Sequence, residues 1–387
     1  MRFRHNRLLG RILLLLVIIL MVGLSSLGCV EGLQPIGWSG GAVSGDTLFV
    51  GSKEGRLVAV NIADESRQWS EPIKAQKSGG GFGCAAPTGG GGCAAAPTGV
   101  AIYGTPAVSG DLVYIGGYNG KIYAFSSSSL EVRWVYPRED YLQPIVGGLV
   151  VAQDKVYFGG SDGKVYALDA ATGDKQWEFE AEDMIWSTPA IDGDTLFFGS
   201  FDNKLYALNV ADGSKKWEFE TEGAIAATPL VYDNTVYIGS FDRYLYAVDA
   251  TNGGLRWRFM GERWFWAKPV AYNNTIYASC LDGKVYALDA EKGPNGEVGE
   301  FGVESPVSSS PIVVNGSIIF ASQKGVIYTL DTASSELKQL ADIEEEVYGP
   351  LCASEGVVYI HTQELTLHRV NADTGAVLMS ISLKSKE

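Results

Sequence analysis

Five cysteines and three histidines are the side chains of this 387-residue chain best suited to act as ligands, nucleophiles or redox centres, so their placement bounds its chemistry. His5 lies among the arginines of the N-terminus, which leaves His361 and His368, both near the other end. A histidine in a strand, with no neighbouring cluster of ligand types, is a core or surface residue before it is a metal ligand. No metal site is expected. Cys280 and Cys352 stand in apolar runs and read as buried free thiols. Cys84 and Cys93 sit in the low-complexity insert 76–99. A bridge between them would remove about 2 to 3 kcal/mol of unfolded-state loop entropy; the alternative is two unpaired thiols in a flexible loop. That insert precedes a strand and lacks a lysine after its glycines, so it is no phosphate cradle. Neither a catalytic residue nor a cofactor is expected.

What positions these residues is a repeat. The phrase running from Thr188 to Trp217 recurs, and Trp134, Trp177, Trp217 and Trp257 close successive copies at about 40-residue spacing, the period of a propeller blade. Trp69 closes an earlier copy, set apart by the insert. Eight copies begin near Trp38, Tyr103, Tyr141, Trp186, Ala226, Trp266, Ser308 and Tyr348. Each holds four short runs separated by Asp-Gly or Asn-Gly type turns, residues that accept the positive φ of tight hairpins. Four such strands make an antiparallel meander with two apolar faces, and radial stacking buries both while protecting the edges. The expected fold is all-β, an eight-bladed β-propeller over residues 38–384; a partial end copy would make it seven or nine, or a strand from one terminus would complete a blade at the other. The repeated tryptophans are expected to be core between blades.

A formal charge of -15 disfavours nucleic acid, which needs clustered lysine and arginine. It also disfavours anionic lipid, so attachment to a membrane would need a lipid or an apolar segment. Arg2, Arg4, Arg7 and Arg11 precede the apolar run 12–24, which reads as an export signal over residues 1–28, followed by a tether at 29–37. Ser26-Leu27-Gly28-Cys29 resembles the lipobox of bacterial lipoproteins, with Ser26 where an apolar residue is usual. That resemblance implies lipidation at Cys29 and an exported, membrane-anchored protein. An uncleaved anchor and a soluble secreted product are the alternatives.

Val165-Tyr166-Ala167-Leu168-Asp169-Ala170-Ala171-Thr172-Gly173 with Trp177 resembles the PQQ-type propeller repeat, and the resemblance covers residues 38 to 384. It implies a propeller and one of two roles. Dehydrogenases of this family hold pyrroloquinoline quinone and a metal ion over the axis, above an adjacent pair of disulfide-bonded cysteines. No two cysteines here are neighbours. The other branch includes the propeller lipoprotein of the outer-membrane β-barrel assembly machinery, a scaffold without cofactor, which this chain resembles in size and export signal.

A binding surface is therefore the expected functional feature. Tyr103, Tyr141, Trp186 and Trp266 each stand three residues before a proline that opens a copy, a position expected at one mouth of the central channel. Arg263, Trp264, Phe265 and Lys268 add a basic and aromatic cluster of the composition favoured in binding hot spots. The same rings would alternatively pack between blades. The expectation is a monomeric, non-catalytic scaffold holding a protein or extended peptide, with a small-ligand sensor as the alternative and a quinone-dependent dehydrogenase as the third.

Overall fold

The computed structural model describes residues 39–74 and 100–384. Trp38, Cys29, Cys84 and Cys93 lie outside the described residues, as do the whole insert 76–99 and the proposed signal and tether. Every regular element described is a strand, and the strands form eight separate four-stranded antiparallel sheets. Each sheet uses four consecutive strands in chain order. The blades span 41–69, 107–136, 150–180, 190–220, 230–260, 270–302, 312–342 and 352–382.

Blade 4 shows why the repeat folds this way. Its strands are Ala190–Asp192, Thr195–Gly199, Lys204–Asn209 and Lys215–Glu220. The two middle strands are almost wholly buried because both of their faces meet neighbouring blades. The outer strand, KKWEFE, alternates charged residues with Trp217 and Phe219, so the exposed edge carries lysine and glutamate while its apolar side faces inward. Eight apolar clusters fill the interfaces between consecutive blades. In one of them Leu48 and Val50 of blade 1 pack on Tyr359, Leu367 and Ile381 of blade 8. Among the described residues the ring thus closes by face packing, with no strand lent from one terminus to the other.

The motif letters are contacts between blades. Asp169 Oδ1 accepts the amides of Ala171 and Thr172, an Asx turn that delivers Gly173 at φ +74°. The Ala170 carbonyl, inside that turn, accepts the indole N–H of Trp134 from the preceding blade at 3.0 Å. Trp177, Trp217 and Trp257 repeat the bond to Val210, Ala250 and Ala290 of the next blade at 3.1, 3.0 and 3.0 Å. The turn glycine lies flat on the indole: a Cβ on Gly213 would stand 2.6 Å from Trp177, and one on Gly173 2.5 Å from Trp134. So the tryptophan that ends one copy is held by the turn glycine of the next, preceded by Thr172, Asp212, Asn252 or Lys292.

Candidate functional site: the axis and its aromatic mouth

The innermost segment of each blade runs down the axis just before its first strand. At that segment Tyr103, Val146, Trp186, Ala226, Trp266, Ser308 and Tyr348 occupy equivalent positions, and two residues on stand Thr105, Gly148, Thr188, Thr228, Lys268, Ser310 and Pro350. Both rings line a narrow axial channel with a cavity of about 100 Å³. Small residues between the rings let the segments crowd together. A Cβ on Gly104 would meet the Gly147 carbonyl oxygen at 2.3 Å, and one on Gly147 the Trp186 carbonyl oxygen at 2.6 Å. Side chains stitch neighbouring segments: the Ser187 hydroxyl donates to the Ala227 carbonyl at 2.8 Å, and the Gly148 amide donates to Thr188 Oγ1 at 2.7 Å.

One face of the ring carries the links between blades and the turns between second and third strands, pinned together by amide bonds such as Phe201 to Met184, Phe241 to Ala224 and Leu281 to Trp264. In blades 4 to 6 this face is aromatic. Trp186 meets Phe201 edge-on at 4.8 Å, Phe201 meets Phe241 at 5.9 Å, and Phe241 stacks on Trp264 at 4.7 Å and on Trp266 at 5.5 Å. The Trp186 indole also donates to Ser161 Oγ of blade 3 at 3.1 Å, which carries the arc across four blades. Phe201 is buried beneath it, while Trp186, Phe241, Trp264 and Trp266 are half-exposed. Blades 8 and 1 present a polar sector instead, with Lys53, Glu346, Gln363 and Glu364 around a hollow of about 380 Å³.

The structure brings together Tyr103, Trp186, Trp266 and Lys268 on the channel and Trp264 beside them. It does not bring Tyr141 there. Blade 3 begins at Val150, so Leu149 rather than Pro144 occupies the opening position, and Val146 is the residue equivalent to Trp186. Tyr141 is instead exposed on the link into that blade, under the Lys121 ammonium at 4.5 Å. Phe265 is likewise not surface: it is 1% exposed and fills the position of Ile185 and Ile225 in the core between blades. Arg263 is exposed on the link before Trp264. Sequence reasoning missed Phe201 and Phe241. The signal for them was present, since the matching turns Gly199-Ser200-Phe201-Asp202 and Gly239-Ser240-Phe241-Asp242 put phenylalanine at a position that varies among the copies.

The comparisons with known proteins agree with the fold. The family model described as outer membrane protein assembly factor BamB matches residues 31–184 and 165–380. The chain belongs to this PQQ-repeat propeller family. The crystal structure of BamB from Moraxella catarrhalis superposes with a TM-score of 0.65 at 18% identity, over 84% of this chain and 90% of that one. The computationally designed Ika8 protein superposes at 0.66 with 15% identity, over 86% of this chain and 95% of that one. Likeness at these identities shows the fold alone, natural and designed alike. No curated protein matches the sequence.

The quinone of the PQQ family's dehydrogenase branch does not fit the residues present. A cavity of about 100 Å³ falls well below the roughly 300–1,000 Å³ of small-molecule pockets. Among the described residues no three histidine, cysteine, aspartate or glutamate side chains converge as a metal site would require. The Cys280 and Cys352 thiols are free and far from nucleophilic, each pushed up to about 12 by burial. Both histidines are buried in blade 8. His361 Nδ1 bonds the Ser39 carbonyl of blade 1 at 2.8 Å, and burial pushes its pKa below the usual value. His368 takes the place of the Tyr206 type of residue and lies between Ser380 Oγ at 2.8 Å and Glu345 at 3.2 Å.

Proposed function

We propose that this protein is a non-catalytic, membrane-tethered scaffold on the extracytoplasmic side, which holds an envelope protein in outer-membrane protein assembly. The observation that carries the reading is the aromatic arc on the mouth of the propeller. Four half-exposed rings in contact over several blades form the kind of rigid, partly desolvated surface on which interface energy concentrates. Arg263 at its edge supplies a positive group for carbonyls or carboxylates of an extended segment. Membership in the assembly-factor family supports the same reading, and the leader ending in Cys29 supports export and a lipid anchor.

A pull-down of the detergent-solubilised protein from its own cells tests it, with a Trp186→Ala, Trp266→Ala double variant in parallel and its fold checked by circular dichroism. The expected outcome is retention of outer-membrane assembly proteins by the native form and their loss from the variant. Equal retention by both would remove the arc from the account.

A further inference from the structure

The channel below the aromatic mouth has a chemistry of its own. In a chain with a formal charge of -15, no aspartate or glutamate among the described residues lines it. Lys268 is the cation among the described lining residues, at a position where four other blades carry Thr105, Thr188, Thr228 or Ser310 and two carry Gly148 and Pro350. Lys268 is exposed to the water of the channel. The protein atoms around it desolvate it in part and lower its pKa, with no carboxylate opposing that shift. The hydroxyls around it are poised as donors. Thr188 Oγ1 accepts the Gly148 amide at 2.7 Å and Ser310 Oγ accepts the Lys268 amide at 3.2 Å, so each keeps its own proton to give. Ser308 Oγ, more than nine-tenths buried and on the channel wall, has no hydrogen-bond partner among the described residues. A buried orphan hydroxyl is costly to leave unmet, and the Lys268 charge beside it has no carboxylate partner.

We infer that the axial channel is a binding site for a small oxyanion, a phosphate or carboxylate group, held by the Lys268 ammonium and the hydroxyls of Ser308, Ser310 and Thr188. One such ligand answers both unmet groups, and a cavity of about 100 Å³ holds roughly three waters' volume, enough for one anionic group and too little for a larger ligand. The anion-holding groups lie outside the aromatic arc, although Trp186 and Trp266 border both. The anion can be free in solution or the carboxyl end of a peptide entering from the mouth, and the chemistry of the site is the same for both.

The test is titration of the purified protein with inorganic phosphate, with acetate, and with a short peptide carrying a free or an amidated C-terminus, at constant ionic strength. Tryptophan emission reports on Trp186 and Trp266 in the channel wall, and Tm reports linked stabilisation. The wild type is expected to show saturable changes in both. Lys268→Met is expected to lose them while melting no lower than the wild type without anion, because it removes an unpaired desolvated charge. Lys268→Arg should keep binding, and Ser308→Ala should bind about tenfold more weakly, the loss of one hydrogen bond. A tighter response to the free-carboxyl peptide than to phosphate assigns the site to a chain terminus; the reverse assigns it to a free oxyanion. No saturable response to any probe, or an equal response from Lys268→Met, overturns the inference.

Discussion

The turn glycines show how a single residue is fixed by the blade before it. Gly213 has φ +73°, and a methyl group there would stand 2.6 Å from the Trp177 ring, whereas Gly193 has φ +55° with nothing within 4 Å of its would-be Cβ. Left-handed backbone costs an L-residue about 1–2 kcal/mol, so Gly193→Ala should lose about that much. Gly213→Ala adds an overpacking term and should lose about 2–4 kcal/mol. Denaturant unfolding of the two variants side by side reads the difference, and equal losses would deny the glycine-on-indole contact. His361 gives a pH dependence. Burial holds its pKa in the folded protein below the ordinary imidazole value of about 6.5, so below that pH the unfolded chain binds the proton the folded chain refuses. The stability contributed by neutral His361 is complete above about pH 6.5 and is lost as pH falls toward the folded value. His361→Asn, which keeps a donor for the Ser39 carbonyl, should flatten that part of the profile between pH 7.5 and 5.5 in unfolding experiments.

At the scale of elements, the second turn of blades 3 to 6 is a clamp. Asp202 accepts the Tyr206 hydroxyl at 2.8 Å, the Lys204 amide at 3.0 Å and the Glu182 amide of the incoming link at 2.9 Å. Asp162, Asp242 and Asp282 repeat the tyrosine bond to Tyr166, Tyr246 and Tyr286 at 2.8, 2.7 and 2.8 Å. Burial first, and the carboxylate second, push the Tyr206 pKa upward. A hydrogen bond to a charged group contributes about 1.5–3 kcal/mol. Tyr206→Phe should fall near the lower figure, because Asp202 keeps its two amides, and thermal unfolding measures it. These turn aspartates were legible as turn formers, and the strands were legible because Gly-Ser, Asp-Gly and Thr-Gly punctuate apolar alternation in nearly every copy. The mouth was less so. Tyr141 was misplaced because Pro144 imitates the opening proline of the other copies while blade 3 opens with Leu149. Phe265 looks like its exposed neighbours Trp264 and Trp266 in composition, but alternation along the link turns it into the core. Contact between Phe201 and Phe241 depends on the rotation between successive blades, which no single copy contains.

The whole molecule is a closed ring whose last interface differs from the rest. Between blades 8 and 1 Arg369 reaches Glu65 at 2.8 Å, His361 reaches the Ser39 carbonyl, and the Trp69 indole donates to Leu383 at 3.3 Å. Among the described residues no strand is exchanged there, and the contacts between blades 8 and 1 are made by side chains. Deleting residues 348–387 would expose two apolar faces, those of blades 7 and 1. The truncated chain is expected to aggregate or to bind a hydrophobic dye strongly, while Arg369→Met keeps the ring closed and melts only slightly lower; a well-folded, soluble truncation would show that the seven remaining blades close without the eighth. The central claim for the molecule is that its aromatic mouth is where a partner docks. Photo-crosslinking from its own cell envelope tests this most directly, with the crosslinking side chain placed at Trp264 in one sample and at Asp212, in a turn between third and fourth strands, in another. The account predicts a discrete adduct with an outer-membrane assembly protein from position 264 and none from position 212. Adducts from position 212 with none from position 264 would contradict it and move the docking surface to the opposite face.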